Sequence, residues 1–490
     1  MMRLMFLAGG LAAAQVGVAE PLFEDKSANL VDHEYTGDWV HFVGGGVAIF
    51  DCNGDTFPDV FAAGGSSPAR LMINQGQFEF SDGGSFSTAV IGAYPLDIDG
   101  DGEVDLAVLR DGANQLLQGA GDCTFEDASA DWGFDGGDAW TTAFTATWEG
   151  DRPTLVFGNY VDRADPDGPF GACAAHDLHR PSPEGYVKTK IQPGFCTLSM
   201  LASDWQRSGT PMLRISNDRH YHQDEGFEQM FDLASLSQRD GWPEQKLWGM
   251  GIASADVTGD GKPEVMLSSM GDQLLQINEG EGFRDAPYGQ GTFATRPHAG
   301  GDTRPSTGWH TEFADIDNDG LLDIFIAKGN VDAMPEAAAF DPNNLLIQRP
   351  DGTFREAAAT AGVASGERSR GAGLADFDGD GRLDLVVVNR SAGMELYRNV
   401  TADVGNWLSV ELAQEGGNTR AVGAWIEVQA NGKTQAREVT VGGGHASGQA
   451  LPMHFGLGDA KEAKARVIWP DGEASDWQEI AINAAATVTR

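Results

Sequence analysis

The sequence predicts an all-β chain, a seven-bladed β-propeller followed by a small C-terminal β-domain. Three observations predict it. An acidic nine-residue frame recurs at starts 51, 97, 147, 204, 256, 315 and 376, with steps of 46, 50, 57, 52, 59 and 61 residues. Short apolar runs follow the acidic frames, such as Ile324 to Ala327 and Leu385 to Val388, which have the length of strands. Gly 65 and Pro 21 in 490 residues break the chain into short strands without the low complexity of a disordered segment. A period of about fifty residues with strand-like flanks means a closed radial repeat, not a helical solenoid.

The residues before the first frame hold Phe23-Glu24-Asp25, a copy of Phe125-Glu126-Asp127, Phe283-Arg284-Asp285 and Phe354-Arg355-Glu356. The later copies close a repeat, so the first is expected to join the last blade and seal the ring. That would remove an open sheet edge.

The frame itself is clearest at Asp315, Asp317, Asp319 and Asp323, which occupy positions 1, 3, 5 and 9 around Gly320. A sharp turn at position 6 tolerates positive φ and brings alternate carboxylates to one side. The backbone carbonyl of Leu321 adds a further oxygen. Several oxygens in a flexible shell suit Ca²⁺, and an apolar strand in place of a helix makes this a strand–loop–strand site. Asp97, Asp99, Asp101 and Asp105 repeat the pattern, as do Asp376, Asp378, Asp380 and Asp384. Asp51, Asn53, Asp55 and Asp59 carry Asn at position 3 and Thr56 at position 6. Asp256, Thr258, Asp260 and Glu264 are a looser version, and the frames at 147 and 204 have lost their ligands. Three to five Ca²⁺ sites are expected, with a structural role.

The formal charge of −40 excludes a basic footprint for nucleic acid or an anionic membrane surface. The five plausible loops hold 18 of the carboxylates. Residues 1–19 have the form of a secretory signal, with Arg3, an apolar run from Leu4 to Ala14 and small residues up to Ala19. No later stretch is apolar enough to span a bilayer. The expected location is therefore exported, periplasmic or extracellular. Export favours disulfides. Four cysteines allow three pairings, of which Cys173–Cys196 and Cys52–Cys123 are expected.

A second constellation precedes the frames, at the start of the inner strands: Trp39, His41, Trp140, Trp248, Trp309, His310, Arg368 and Arg370. If these strands line the channel, the residues gather at one mouth and form the expected ligand site. The stretch between Asn159 and Cys196 is expected to be an insertion. Its His176 and His179, with His220, His222, Asp218 and Asp224, offer a low-information transition-metal pattern. His445 and Ser447 lie in a Gly-rich turn without a third triad member, and no G-x-S-x-G is present.

From Asn406 the pattern changes to short strands with an Asn431-Gly432 hairpin signal. The expected division is a signal at 1–19, a propeller at 20–400 and a separate β-domain at 406–490. The acidic loops resemble the FG-GAP or VCBS repeats of integrin α-subunit-type propellers. The C-terminal stretch resembles the ASPIC/UnbV domain, through G-A-W-I-E-V at 423–428, G-G-G-H-A-S at 442–447, H-F-G-L-G at 454–458 and W-P-D-G at 469–472. Together they are similar to bacterial relatives of cartilage acidic protein. The resemblance implies a secreted, calcium-stabilised propeller with Ca²⁺ on the loop aspartates; Asn53, Thr56, Thr258 and Glu264 depart from that pattern. Two readings of function follow. One is a non-enzymatic recognition or adhesion module for an extracellular protein or glycan. The other is a lyase or hydrolase acting on extracellular polymers at the channel mouth.

Overall fold

The computed structural model describes residues 19–165, 171–218, 225–293, 307–329, 331 and 341–490. Residues 1–18 of the expected signal segment, together with His220, His222 and Asp224, lie outside the described residues. Seven antiparallel units of four strands follow one another around a ring. Their inner strands are Val47–Phe50, Val90–Leu96, Thr141–Trp148, Thr197–Ser203, Gly249–Ala255, Gly308–Ala314 and Ser369–Ala375. The seventh unit takes its outermost strand from the other end of the chain, where Phe23 pairs with Asn399 and Asp25 with Tyr397. No helix among the described residues is long and apolar enough to cross a membrane.

The second strand of each unit is buried on both faces because it is stacked between neighbouring blades. Asp323–Lys328 and Asp384–Asn389 are buried along their whole length. Continuous apolar runs such as Ile324-Phe325-Ile326-Ala327 are what such a strand needs, and each large side chain contributes roughly 1.5–3 kcal/mol.

The stretch expected to be an insertion is instead the outer half of the third blade. His176–Ser182 and Gly185–Ile191 pair with each other, and Leu155 to Phe157 pair with Asp177 to His179. Of its described prolines and glycines, Pro183 sits in the turn between these two strands, while Pro181 and Gly185 lie within them. Both disulfides join the expected partners, Cys52–Cys123 and Cys173–Cys196.

Neighbouring blades are stapled by one recurring device. An amide at the end of the third strand donates to the position-2 carbonyl of the preceding acidic loop. Asn74 reaches Phe377 O at 2.9 Å, Asn278 reaches Trp205 O at 2.8 Å, Gln348 reaches Val257 O at 3.1 Å and Asn399 reaches Ile316 O at 2.9 Å. The second blade has Gly119 at this place, and there the Cys52–Cys123 bridge and a Cys123 N–H to Cys52 O bond of 3.1 Å join the same two blades. Replacing Asn399 with alanine leaves the buried Ile316 carbonyl unpaired and is expected to cost about 1–3 kcal/mol. Urea unfolding at fixed calcium measures it, with Asn278→Ala expected to lose a similar amount.

The C-terminal region forms two sheets around Leu408, Val410, Ile426, Val428, Phe455 and Val467. Asn406–Ala413 lies between Met453–Gly458 and Ala484–Thr489, and Trp425–Ala430 lies between Lys433–Glu438 and Ala463–Ile468. It is not wholly separate from the ring, as the sequence suggested. Residues 441–450 leave it as a hairpin that enters the propeller channel. Val441–Gly442 bridges the third and fourth inner strands, and Gly448–Ala450 runs parallel to Ala48–Phe50.

Candidate metal centres and the occupied channel

In each acidic loop the position-1 carboxylate folds the turn by accepting backbone N–H groups. Asp315 accepts from Asp319 at 3.0 Å and Gly320 at 2.8 Å, and Asp376 accepts from Asp380 and Gly381 at the same two distances. The position-9 carboxylate has a role that sequence reasoning missed. Asp323 accepts from Ile316 N at 2.9 Å and Gln348 N at 2.8 Å, tying its own loop to the third strand. Asp59, Asp105 and Asp384 do the same with Cys52 and Asn74, Ile98 and Gly119, and Phe377 and Asn399. At the looser loop the longer Glu264 accepts from Val257 N at 2.8 Å and from Asn278 N of the third strand at 3.4 Å, so the departure from Asp keeps the tie at a longer distance. Thr56 takes the position-6 turn at φ 74°, as Gly320 does at 87°.

Three loops bring one oxygen from each of three carboxylates within 4.8 Å of one another: Asp97, Asp99 and Asp101; Asp315, Asp317 and Asp323; Asp376, Asp378 and Asp384. Burial, reinforced by the neighbouring carboxylates, raises Asp105 and Asp317 to about 7 and Asp376 to about 6. The same causes lift Asp315 and Asp323 well above the carboxylate range. Asp317 Oδ2 and Asp378 Oδ1 are buried without a hydrogen-bond partner. Clustered hard oxygens with an unmatched buried lone pair fit a divalent cation such as Ca²⁺. The loop at 376 fits less freely, because Arg398 is 2.6 Å from Asp378 and Arg382 pairs with Asp380. Cys52, Asp59 and Cys123 also approach one another, but both sulfurs are spent in the disulfide.

Among the described residues the histidine pattern does not converge. His176 is buried, its Nδ1 accepting from Asn159 N and its Nε2 facing Thr197 Oγ1. His179, three residues along the strand, points to the other face and packs between Phe134 and Phe157. Burial pushes both down to about 4, so they are neutral core residues.

The channel is filled. Of the side chains expected to line an open mouth, Trp309 and His310 hold the hairpin tip instead. Trp309 is buried with its indole N–H on Gly329 O, and the Arg370 guanidinium lies over its ring at 4.2 Å. The His445 ring lies tilted 4.9 Å from Trp309, its backbone N–H donates to His310 Nδ1, and its Nε2 accepts from Gly44 N. Ser447 Oγ accepts from Val47 N. Arg370 donates to Phe42 O, while Trp140 packs on Phe42 and Tyr160. His41 is buried, Trp248 and Arg368 are half-buried, and of the constellation Trp39 alone is exposed, at 44%, stacked on Phe42. The signal for this lay in the glycines of the inner strands. A Cβ on Gly46 or Gly92 would stand 1.8 or 2.0 Å from Ala446 O.

The C-terminal domain rests on the acidic-loop face. Thr419 Oγ1 meets Asp97, Gly417 O accepts from the Trp148 indole at 3.1 Å, and Trp407 lies on Gly381. The frame at 204, which cannot cage a cation, is pinned instead. Asp204 N donates to Glu438 at 2.9 Å and Arg207 pairs with Glu427 at 2.6 Å. The acidic-loop face is therefore the docking face of the chain's own second domain.

Comparison with known proteins finds two families in the chain. The FG-GAP-like repeat model matches residues 51–108, 256–326 and 332–387, and the ASPIC and UnbV model matches 414–490. The chain carries FG-GAP-like repeats and an ASPIC and UnbV domain. The frames at 147 and 204 lie outside the matched repeats. Cartilage acidic protein 1 of Mus musculus is 27% identical over 236 residues, covering 46% of this chain and 34% of that protein. The Homo sapiens protein is also 27% identical over 236 residues, covering 46% and 33%. The chain spans about a third of the length of the curated relatives it matches. Among solved structures, BBS1N in complex with ARL6DN is similar at 8% identity and TM-score 0.47, over 78% of this chain and 97% of that one.

Proposed function

We propose that the chain is an exported, calcium-binding recognition module for an extracellular protein or glycan. The occupied channel carries this reading. An enzyme of this architecture needs a concave site with its polar groups free to meet substrate. Here Trp309 and His310 are committed to the hairpin and Arg370 lies over Trp309 and donates to Phe42 O, which withdraws the channel mouth as the site of the polymer-acting reading. Two disulfides support an oxidising compartment. The second domain occupies much of the acidic-loop face, and on the opposite one Trp39 and Val40 are exposed. An exposed tryptophan beside a second apolar side chain suits stacking on a sugar ring or anchoring in a protein pocket.

Probing a glycan array and a secreted-protein library with the full chain tests this. Trp39→Ala is expected to weaken the captured ligand at least tenfold, the order of one anchor residue, with an unchanged melting temperature. Loss on Trp477→Ala instead would place the surface on the C-terminal domain. Turnover of a polymer would overturn the non-enzymatic reading.

A further inference from the structure

We propose that the loop at 315 is an interdomain site, whose divalent cation is enclosed by the C-terminal domain and exchanges only when that domain lifts off the propeller. The inference rests on the calcium reading above and adds the second domain as part of the site.

Among the five plausible loops this one is the most deeply covered. Asp315, Asp317 and Asp323 are all buried and Asp319 is half-buried, whereas Asn53 and Asp55, Asp101, and Asp260 are exposed in theirs, and in the loop at 376 Asp384 is buried while Asp376, Asp378 and Asp380 are half-buried. The cover comes from two segments of the C-terminal region. Gly405 N donates to Asp317 O at 2.9 Å, and Gly458 N donates to Asn318 O at 2.8 Å. His454 Nε2 is 2.7 Å from Asn318 Oδ1, and the His454 ring stacks on Trp407. Gly456 presses so closely that a Cβ there would stand 1.9 Å from Asp315 Oδ2, and Gln435 holds its carbonyl at 2.7 Å. Asn318 in turn donates to Gly381 O of the next loop at 2.9 Å, closing the lateral route.

The charge under this lid is unbalanced. Three buried carboxylates face one buried cation from the covering domain, the Arg437 guanidinium, which is shared with Asp256. Asp317 Oδ2 has no hydrogen-bond partner. Buried negative charge of this density requires a counter-charge, and a divalent ion supplies it where no further side chain reaches. Because Gly405, His454, Gly456 and Gly458 cover the loop, an ion leaves only through a sub-global opening, and that opening sets the release rate.

The test loads the full chain with radioactive calcium, dilutes it into excess chelator and follows release. One equivalent is expected to leave about a hundredfold or more slowly than the rest, the scale of a sub-global opening of a few kcal/mol. Asp317→Asn should abolish the slow phase, and His454→Ala should speed it about tenfold, as loss of one buried hydrogen bond implies. Protease cleavage at residues 400–406 of the unaltered protein should proceed no faster than slow release, a readout that needs no variant. Release of all bound calcium in one fast phase, or cleavage there that outruns the slow phase, overturns the interdomain site and leaves the calcium reading standing. Absence of any bound calcium overturns both.

Discussion

Gly92→Val is expected to expel the 441–450 hairpin from the channel. Gly92 lies on the inner strand Val90–Leu96 with ordinary backbone geometry, so the blade itself accepts a side chain. The added Cβ would meet Ala446 O at 2.0 Å and Ala446 Cβ at 2.7 Å, and the atoms it meets are mostly backbone, which cannot rotate away. The hairpin is gripped from several blades at once. Gly444 N donates to Ile252 O at 2.7 Å, Gly443 N to Met200 O at 2.6 Å, and the Tyr94 hydroxyl to Gly443 O at 2.8 Å. Displacement breaks these bonds together and leaves Trp309 and Arg370 beside an emptied channel. The expected loss is about 3–5 kcal/mol, the range for overpacking combined with unsatisfied buried polar groups. Thermal unfolding measures the loss, and amide exchange over 441–450 reports the hairpin directly. Gly46→Val should behave alike, since its Cβ would lie 1.8 Å from the same carbonyl oxygen. A normal melting temperature with residues 441–450 still protected would show that the tip does not sit there.

The second large effect is on metal and pH together. Calcium removal is expected to lower stability by roughly 2.7 kcal/mol for each site that had been held at a hundred times its dissociation constant. The metal-free protein should then lose stability as pH rises. Asp105, Glu264 and Asp317 titrate near 7 and Asp376 near 6 in the fold, through burial first and neighbouring carboxylates second. In the unfolded chain such groups titrate at about 4. Between those values the folded state binds more protons than the unfolded one, so the slope of unfolding free energy with pH is negative. Metal-free melting temperatures should therefore fall from pH 6.5 to pH 8, above the range in which the buried His176 and His179 act with the opposite sign, while saturating Ca²⁺, which replaces the protons, should flatten or reverse the trend. A rising metal-free profile across that interval would contradict the burial of these carboxylates.

The acidic loops and the ring were legible in the sequence because their determinants are local and repeated. A carboxylate at every second position around a turn, followed by an apolar strand, is a pattern within nine to fifteen residues. Repetition of the frame at starts from 51 to 376 then left little choice but a closed array. The Phe23 strand could be assigned because it copies Phe125, Phe283 and Phe354, and it does pair with Asn399. The Asn431-Gly432 turn, with φ 48° and 74°, was equally local.

What only the tertiary structure decided was where those parts meet. His176 and His179 looked like ligands until the strand placed them on opposite faces, and Trp309, His310 and Arg370 looked like an open site until the hairpin lay against them. Neither outcome has a sequence period. G-G-G-H-A-S at 442–447 and V-G-G-G-V at 43–47 each read as a turn, and nothing in either names the other. Their partnership is a steric one between residues about four hundred positions apart: glycines on several inner strands leave a space that one backbone fills. Close packing acts between atoms brought together by the whole fold, so it can be satisfied only after every blade is in place.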